Sequence, residues 1–274
     1  MSCALDFLTI LLPLLYGLLT AGYAAVFFRD RPQLVRILTP ALTATIALHI
    51  AYVAIRTVRY DHIPLASVFE SLTMISLALV LVYWITERIV KTPNTGIFVI
   101  AVAFVFQTVS TVFIDHDVVV NPIFQSPLFS VHTTTAIIGY TAFALSAIYG
   151  VLYLLLHYEL KINRFGIVYS RLPSLGTLAS MHEGAAVVGL ISFTVAIVIG
   201  IAWLPATAFG WALSDPKVLL TIAIWLLYLA VLIAYRVGWG SRIRLIYVTL
   251  FGFILLVFST VAVNLWLQSF HVFT

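Results

Sequence analysis

The chain has little charge and almost no cysteine. Asp, Glu, Lys and Arg make up 9% of its 274 residues, while hydrophobic residues make up 63%. A soluble domain cannot cover its surface with so little polar material, so that class is excluded. The single cysteine, Cys3, excludes an internal disulfide. It also excludes any CxxC or CxxCH motif, and with it a covalently attached c-type haem. No phosphate-binding glycine loop, dinucleotide fingerprint or hydrolase nucleophile motif occurs. Nor is there a soluble domain, a low-complexity segment or a clear sequence repeat. The net charge of +4 is explained by basic loops on one face of a membrane, not by nucleic acid.

What the chain does contain is repeated apolar runs of about 20 residues, each long enough to cross a ~30 Å hydrocarbon core. They predict an all-α polytopic membrane protein, residues 1–274 forming a single membrane domain. The eight spans are about Leu5–Phe28, Ile37–Ile55, Ser67–Thr86, Gly96–Ile114, Val131–Leu156, Ala185–Trp203, Val218–Tyr235 and Leu245–Trp266. The first run has no basic segment or small-residue cleavage site before it, which predicts a retained helix. Residues 165–182 are expected to form a short surface helix started by Pro173 and Ser174.

The basic residues set the expected orientation. With the N-terminus outside, the inner loops hold Arg29, Arg31, Arg36, Arg88, Lys91, Lys161, Arg164, Arg171, Arg236, Arg242 and Arg244. The outer side holds only Arg56, Arg59 and Lys217. This positive-inside bias predicts both termini outside.

The stretch Trp203–Lys217, WLPATAFGWALSDPK, is the polar-punctuated loop around which the candidate residues gather. On this orientation it is outer, as are His132 and His271 at helix ends. Neutral imidazole is a good iron ligand, and two facing histidines can hold a haem from both sides. Trp203, Phe209 and Trp211 can supply an apolar platform. Asn264, Gln268 and His271 follow i, i+4, i+7 spacing and share one helical face. Asp215 and Pro216 suit the start of a helix, as cap and first residue. Within the membrane, His49, Tyr52 and Arg56 share a face of the second span. Arg56 and Glu70 are expected to pair, and His49 to be a buried, hydrogen-bonded histidine. His182 and Glu183 stand at the mouth of the sixth span and are expected to be structural.

Several segments resemble the cytochrome c assembly superfamily, the membrane haem-handling proteins of the CcsA/ResC type with CcmC-like relatives. They are HIPLASVFESL, SVHTTTAIIGYTAFALSAIYGVLYLL, LPSLGTLASM, SDPK and FSTVAVNLWLQSFH, in that order. The resemblance gives a core of about residues 64–274 with its outer loop at 203–217. It implies that His132 and His271 match the family's outer haem-ligating histidines, and that the loop matches its tryptophan-rich haem cradle. Where the family reads roughly Trp-Gly-x-x-Trp-x-Trp-Asp, this chain reads Ala-Phe-Gly-Trp-Ala-Leu-Ser-Asp over residues 208–215. The family's intramembrane histidine has no counterpart in the seventh span. These departures resemble a divergent branch of HemX or YpjD type.

The resemblance implies a protein of the bacterial or archaeal cytoplasmic membrane that handles non-covalent haem b on its outer face. His132 and His271 would be axial ligands, and Asp215 and Asn264 supporting residues. Implied partners are haem, the lipid bilayer, a membrane component of the cytochrome c assembly machinery and apocytochrome c. The chain alone would not be an enzyme, though it can belong to a cytochrome c synthetase system. A rival expectation is a non-catalytic scaffold or regulator that keeps the fold and has lost haem. A small-molecule transporter is a third, resting only on the polarity of the second span.

Overall fold

The structure is a computed structural model. It describes residues 2–91, 93–114, 126–203 and 215–266, with side chains described except at 2–3, 32 and 261–266. The helices are α1 (Ser2–Arg29), α2 (Val35–Tyr60), α3 (Val68–Val90), α4 (Gly96–Phe113), α5 (Pro127–Lys161), α6 (Ile167–Arg171), α7 (Leu175–Trp203), α8 (Pro216–Arg236) and α9 (Arg242–Trp266). A 3-10 turn at Pro32–Leu34 precedes α2. No strand occurs among the described residues. All the helices except the five-residue α6 are long and apolar enough to cross a membrane, eight in total. The all-helical, eight-span expectation is therefore met.

One boundary differs from expectation. The sixth span begins at Leu175, not near Ala185, so His182 lies inside α7. The surface helix expected over 165–182 shrinks to α6. Pro173 and Ser174 do precede a helix, but Leu178, Ala179 and Met181 extend it unbroken into the membrane span.

The chain divides into two compact units. Unit 1 is Met1–Ser126 with Leu155–Ser174, and unit 2 is Pro127–Leu154 with Leu175–Thr274. Lipid is as apolar as a leucine side chain, so hydrophobicity alone does not pull such helices together. Close packing and buried hydrogen bonds do.

Unit 1 shows the second device. Thr111 Oγ1 lies 3.1 Å from the Thr9 carbonyl, which can only accept, so this hydroxyl donates. Its oxygen then accepts from Gln107 Nε2 at 3.3 Å. That turns Gln107 Oε1 toward Thr73, whose hydroxyl donates to it at 2.8 Å. Thr73 therefore accepts from His49 Nε2–H at 2.9 Å, and His49 Nδ1 accepts from Tyr16 Oη–H at 2.9 Å. The ring starts and ends on α1, passes through α2, α3 and α4, and runs in one direction throughout. Every bond in it is possible only with neutral His49 protonated on Nε2.

Nearby, Arg56 and Glu70 form a fully buried ion pair at 2.8 Å. Arg56 Nε also reaches Glu70 Oε1 at 3.0 Å, while Glu70 Oε2 takes the Ala66 N–H at 2.8 Å. Ser67 caps α3 by accepting the Glu70 N–H at 3.1 Å. The loop 61–67 is thus pinned from both ends. At the opposite end of α3, buried Glu87 accepts from Tyr23 Oη at 2.6 Å and Thr39 Oγ1 at 2.7 Å. The segment after α5 belongs to this unit: Arg171 pairs with Asp30, and its carbonyl accepts from Asn94 Nδ2 at 2.6 Å.

Unit 2 centres on aromatic packing. Phe143 lies between Phe193, with ring centroids 5.1 Å apart, and Tyr228, at 3.9 Å. Ile224, Leu232 and Leu256 complete this core from α8 and α9. Tyr228 Oη donates to the Thr249 carbonyl at 3.0 Å, which satisfies its hydroxyl and ties α8 to α9.

Candidate functional site

The candidate site lies at the end of unit 2 where α5 and α8 begin and α7 ends. His132 stands in the second turn of α5, half-buried. Its Nδ1 lies 2.8 Å from the Ala196 carbonyl of α7. A carbonyl can only accept, so Nδ1 carries the proton and Nε2 carries the lone pair. Nε2 has no bond among the described residues. This is the arrangement of a metal-ligating histidine: one nitrogen is fixed by a backbone oxygen, and the other is presented as a base.

The surrounding apolar surface is partly aromatic. Trp203, at the end of α7, packs against Phe129 of α5 with ring centroids 5.9 Å apart. Asp215 caps α8 through Oδ1, which accepts the N–H of Lys217 at 2.8 Å and of Val218 at 3.3 Å. Pro216 takes the first helical position, where it has no bond to lose. Such a cap contributes about 0.5–2 kcal/mol. It fixes one end of the loop 203–217, and Lys217 lies within electrostatic reach of His132. On α9, Thr260 Oγ1 lies within hydrogen-bond distance of Tyr140 Oη of α5, at 3.2 Å. Asn264 follows one turn beyond Thr260.

The structure thus brings together His132, Trp203 and Asp215 at one end of unit 2, and carries α9 toward that end as far as Asn264. Phe209, Trp211 and His271 lie outside the described residues, as does the side chain of Asn264. Two neighbours of His132 were not anticipated. Phe129 is one more apolar residue in a rich composition, and its only signal is a position one turn before His132. Gly200 faces the imidazole so closely that a Cβ there would stand 3.0 Å from Cε1. Its signal is its place one turn beyond Ala196, a small-xxx-small pair.

Other histidines are spent differently. His49 is fully buried and uses both nitrogens in the ring described above, as expected of a structural histidine. The expected Arg56–Glu70 pair also forms. His62 donates from Nδ1 to the Ile63 carbonyl at 2.7 Å, and its Nε2 is buried without a partner among the described residues. That burial seals it from any large ligand. Among the described residues no three His, Cys, Asp or Glu side chains gather to hold a bare metal ion.

Comparison with known proteins adds a family. The family model described as cytochrome c assembly protein matches residues 65–271. Protein HemX of Brevibacillus brevis is 30% identical over 220 residues, 78% of this chain and 79% of that protein. Protein HemX of Bacillus subtilis (strain 168) is 31% identical over 103 residues, 38% of this chain and 37% of that protein. Cytochrome c biogenesis protein CcsA of Mesostigma viride is 22% identical over 244 residues, 80% of this chain and 79% of that protein.

Proposed function

We infer, from the premise that this chain belongs to the cytochrome c assembly protein family, that it holds haem at the end of unit 2 marked by His132. Membership of that family supports a role in cytochrome c maturation. The likeness to HemX and CcsA proteins marks the chain as a divergent member of HemX/CcsA type.

One observation carries the haem reading: the Ala196 carbonyl fixes His132 in the tautomer that offers Nε2 to iron. Histidine from one side and a broad apolar surface are what a haem site requires. His132 and His271 are the axial ligands in this reading. Trp203, Phe129, Phe209 and Trp211 form the platform, Asp215 anchors the loop, and Asn264 supports His271. The haem is non-covalent b, since Cys3 stands alone. When bound, it supplies the prosthetic group that maturation attaches to apocytochrome c. The chain's own part is to bind, orient and present it, alongside a membrane partner that carries out attachment. The excess of basic residues on the opposite loops supports an outer-face site. A cysteine introduced at Ser126 then reacts with a membrane-impermeant maleimide from outside.

The test is the reduced-minus-oxidised visible spectrum of the purified protein, beside His132→Ala and His271→Ala. A low-spin haem spectrum lost in each variant is the expected result. Unchanged haem content in both variants overturns the ligand assignment. A wild type without haem, once loss in detergent is excluded, favours a scaffold or regulator of cytochrome assembly. The altered loop at residues 208–215 motivates that second reading.

A further inference from the structure

His132 is not the only imidazole in unit 2 that rests on a glycine and donates to a backbone carbonyl. His182 of α7 donates from Nδ1 to the Ser146 carbonyl of α5 at 2.8 Å, the same length as the bond from His132 to Ala196. A Cβ on Gly150 would stand 3.2 Å from His182 Nδ1, and one on Gly200 would stand 3.1 Å from His132 Nδ1. Between these two seats lie two more of the same kind. Phe193 covers Gly139, where a Cβ would meet its ring at 2.2 Å, and Phe143 covers Gly189 at 2.6 Å. Along the α5–α7 contact, four rings therefore settle onto four glycines of the facing helix.

The register is regular. Ser130, His132, Ala136, Gly139, Phe143 and Gly150 recur as Ser180, His182, Ala186, Gly189, Phe193 and Gly200, each fifty positions after its counterpart. The carbonyl-bearing residues, Ser146 and Ala196, obey the same offset. Two antiparallel helices paired this way are related by a two-fold axis across the pair, as in inverted repeats of membrane proteins. The absence of a clear repeat expected from sequence is corrected here.

The copies differ in what surrounds each ring: Ser146 Oγ also lies 3.0 Å from His182 Nδ1, a contact that Ala196 cannot offer His132. His182 is sealed, 1% exposed, and its Nε2 faces Thr249 Oγ1 of α9 at 3.3 Å. His132 has no such cover among the described residues. We propose that α5 and α7 are inverted copies of one imidazole seat, closed at His182 by Thr249 and left uncovered by the described residues at His132, and that Gly200 is the positioning residue setting the His132 ring for an iron porphyrin. The carbonyl fixes which nitrogen is free. The missing side chain at Gly200 fixes where that nitrogen points, because the ring lies against α7 and cannot swing toward it. This deepens the haem reading and rests on it for the identity of the ligand. The geometry of the seat stands independently.

Substitutions by alanine separate the role of the seat from that of the helix. Gly184, on the same helix, has nothing within 4 Å of a Cβ. Gly184→Ala and Gly200→Ala make the same gain in helix propensity, and only the second touches His132. Gly150→Ala places the same methyl on the closed copy. In haem-free protein, 15N NMR of labelled histidines should show His132 as the Nδ1–H tautomer. That signal should shift in Gly200→Ala and stay unchanged in Gly184→Ala and Gly150→Ala. In haem-loaded protein, Gly200→Ala should weaken haem retention about tenfold and move the low-spin EPR g-values, as loss of a ligand-orienting contact does. Gly200→Ala matching Gly184→Ala in both NMR and haem retention overturns the positioning role. A wild type that binds no haem, yet shows the NMR pattern above, refutes the haem reading and upholds the seat.

Discussion

Thr73→Val tests the directional ring of unit 1 at a fully buried joint. Valine replaces a hydroxyl by a methyl of nearly equal volume, so packing is preserved and only hydrogen bonding changes. Thr73 both donates to Gln107 and accepts from His49, at 2.8 and 2.9 Å. Its removal strands His49 Nε2–H and Gln107 Oε1 in a site from which water is excluded. A stranded buried atom costs about 1–3 kcal/mol. Interhelical hydrogen bonds in membranes average about 0.6 kcal/mol, with an upper end near 2. Two stranded atoms put the loss at about 2–4 kcal/mol, roughly 30- to 900-fold in the folded-to-unfolded ratio. Reversible unfolding in mixed micelles, titrated with dodecyl sulfate and followed by circular dichroism, measures it. Thr108→Val is the matched control, since among the described residues that hydroxyl bonds only to the Phe104 carbonyl of its own helix. Gln107→Leu removes one stranded atom, so the double variant with Thr73→Val should be more stable than the summed single losses by about 1 kcal/mol. A Thr73→Val protein within about 0.5 kcal/mol of wild type, or strict additivity in the cycle, would refute the reasoning.

Arg56→Ala leaves Glu70 buried without its cation and should cost about 3–5 kcal/mol in the same unfolding assay, more than Arg59→Ala at an exposed position. Asp215→Ala should cost about 1 kcal/mol and weaken haem retention, with Asp215→Asn restoring most of both, read by unfolding and by haem absorbance. The Arg171 guanidinium, through its hydrogen bond, holds the Asp30 carboxyl below its ordinary value of 3.8. A depressed carboxyl stabilises above its ordinary pKa and loses that effect as pH falls through the lower folded value. Proteolysis within residues 162–174 by an acid-active protease, corrected for its activity on an unfolded substrate, should therefore rise below about pH 4, and Asp30→Asn should abolish that rise.

Much of this architecture is legible in the chain because membrane-span signals are compositional and long. The eight spans, the Arg56–Glu70 pair across a short connection and the Asp215 cap all follow from local spacing. What escapes is whatever depends on a distant backbone atom. The Ala196 carbonyl stands 64 positions from His132, and no side-chain pattern marks an oxygen that every residue possesses. The early start of α7 escapes because Leu175–Glu183 mixes polar residues into an apolar frame. The repeat escapes for a similar reason. Its shared residues are small, aromatic or a lone histidine, scattered through helices where such residues are common. The copies run in opposite directions, so the matching pairs become evident only when the helices face each other.

Four of the described histidines, His49, His62, His132 and His182, share one side chain and differ in what their nitrogens are permitted to do. His49 receives a proton at Nδ1 and gives one at Nε2, so no lone pair is left for a ligand. His62 and His182 each give Nδ1–H to a carbonyl, yet the remaining nitrogen is enclosed in the first and faces Thr249 in the second. His132 gives the same proton to the same kind of acceptor, and its Nε2 has no bond among the described residues. Intramembrane polarity alone would rank His49 first, because a buried polar group in a membrane suggests function by default. Accounting for each proton reverses that order. The most buried histidine is the most fully satisfied, while His132, whose Nε2 has no bond among the described residues, stands where α5, α7 and α8 meet.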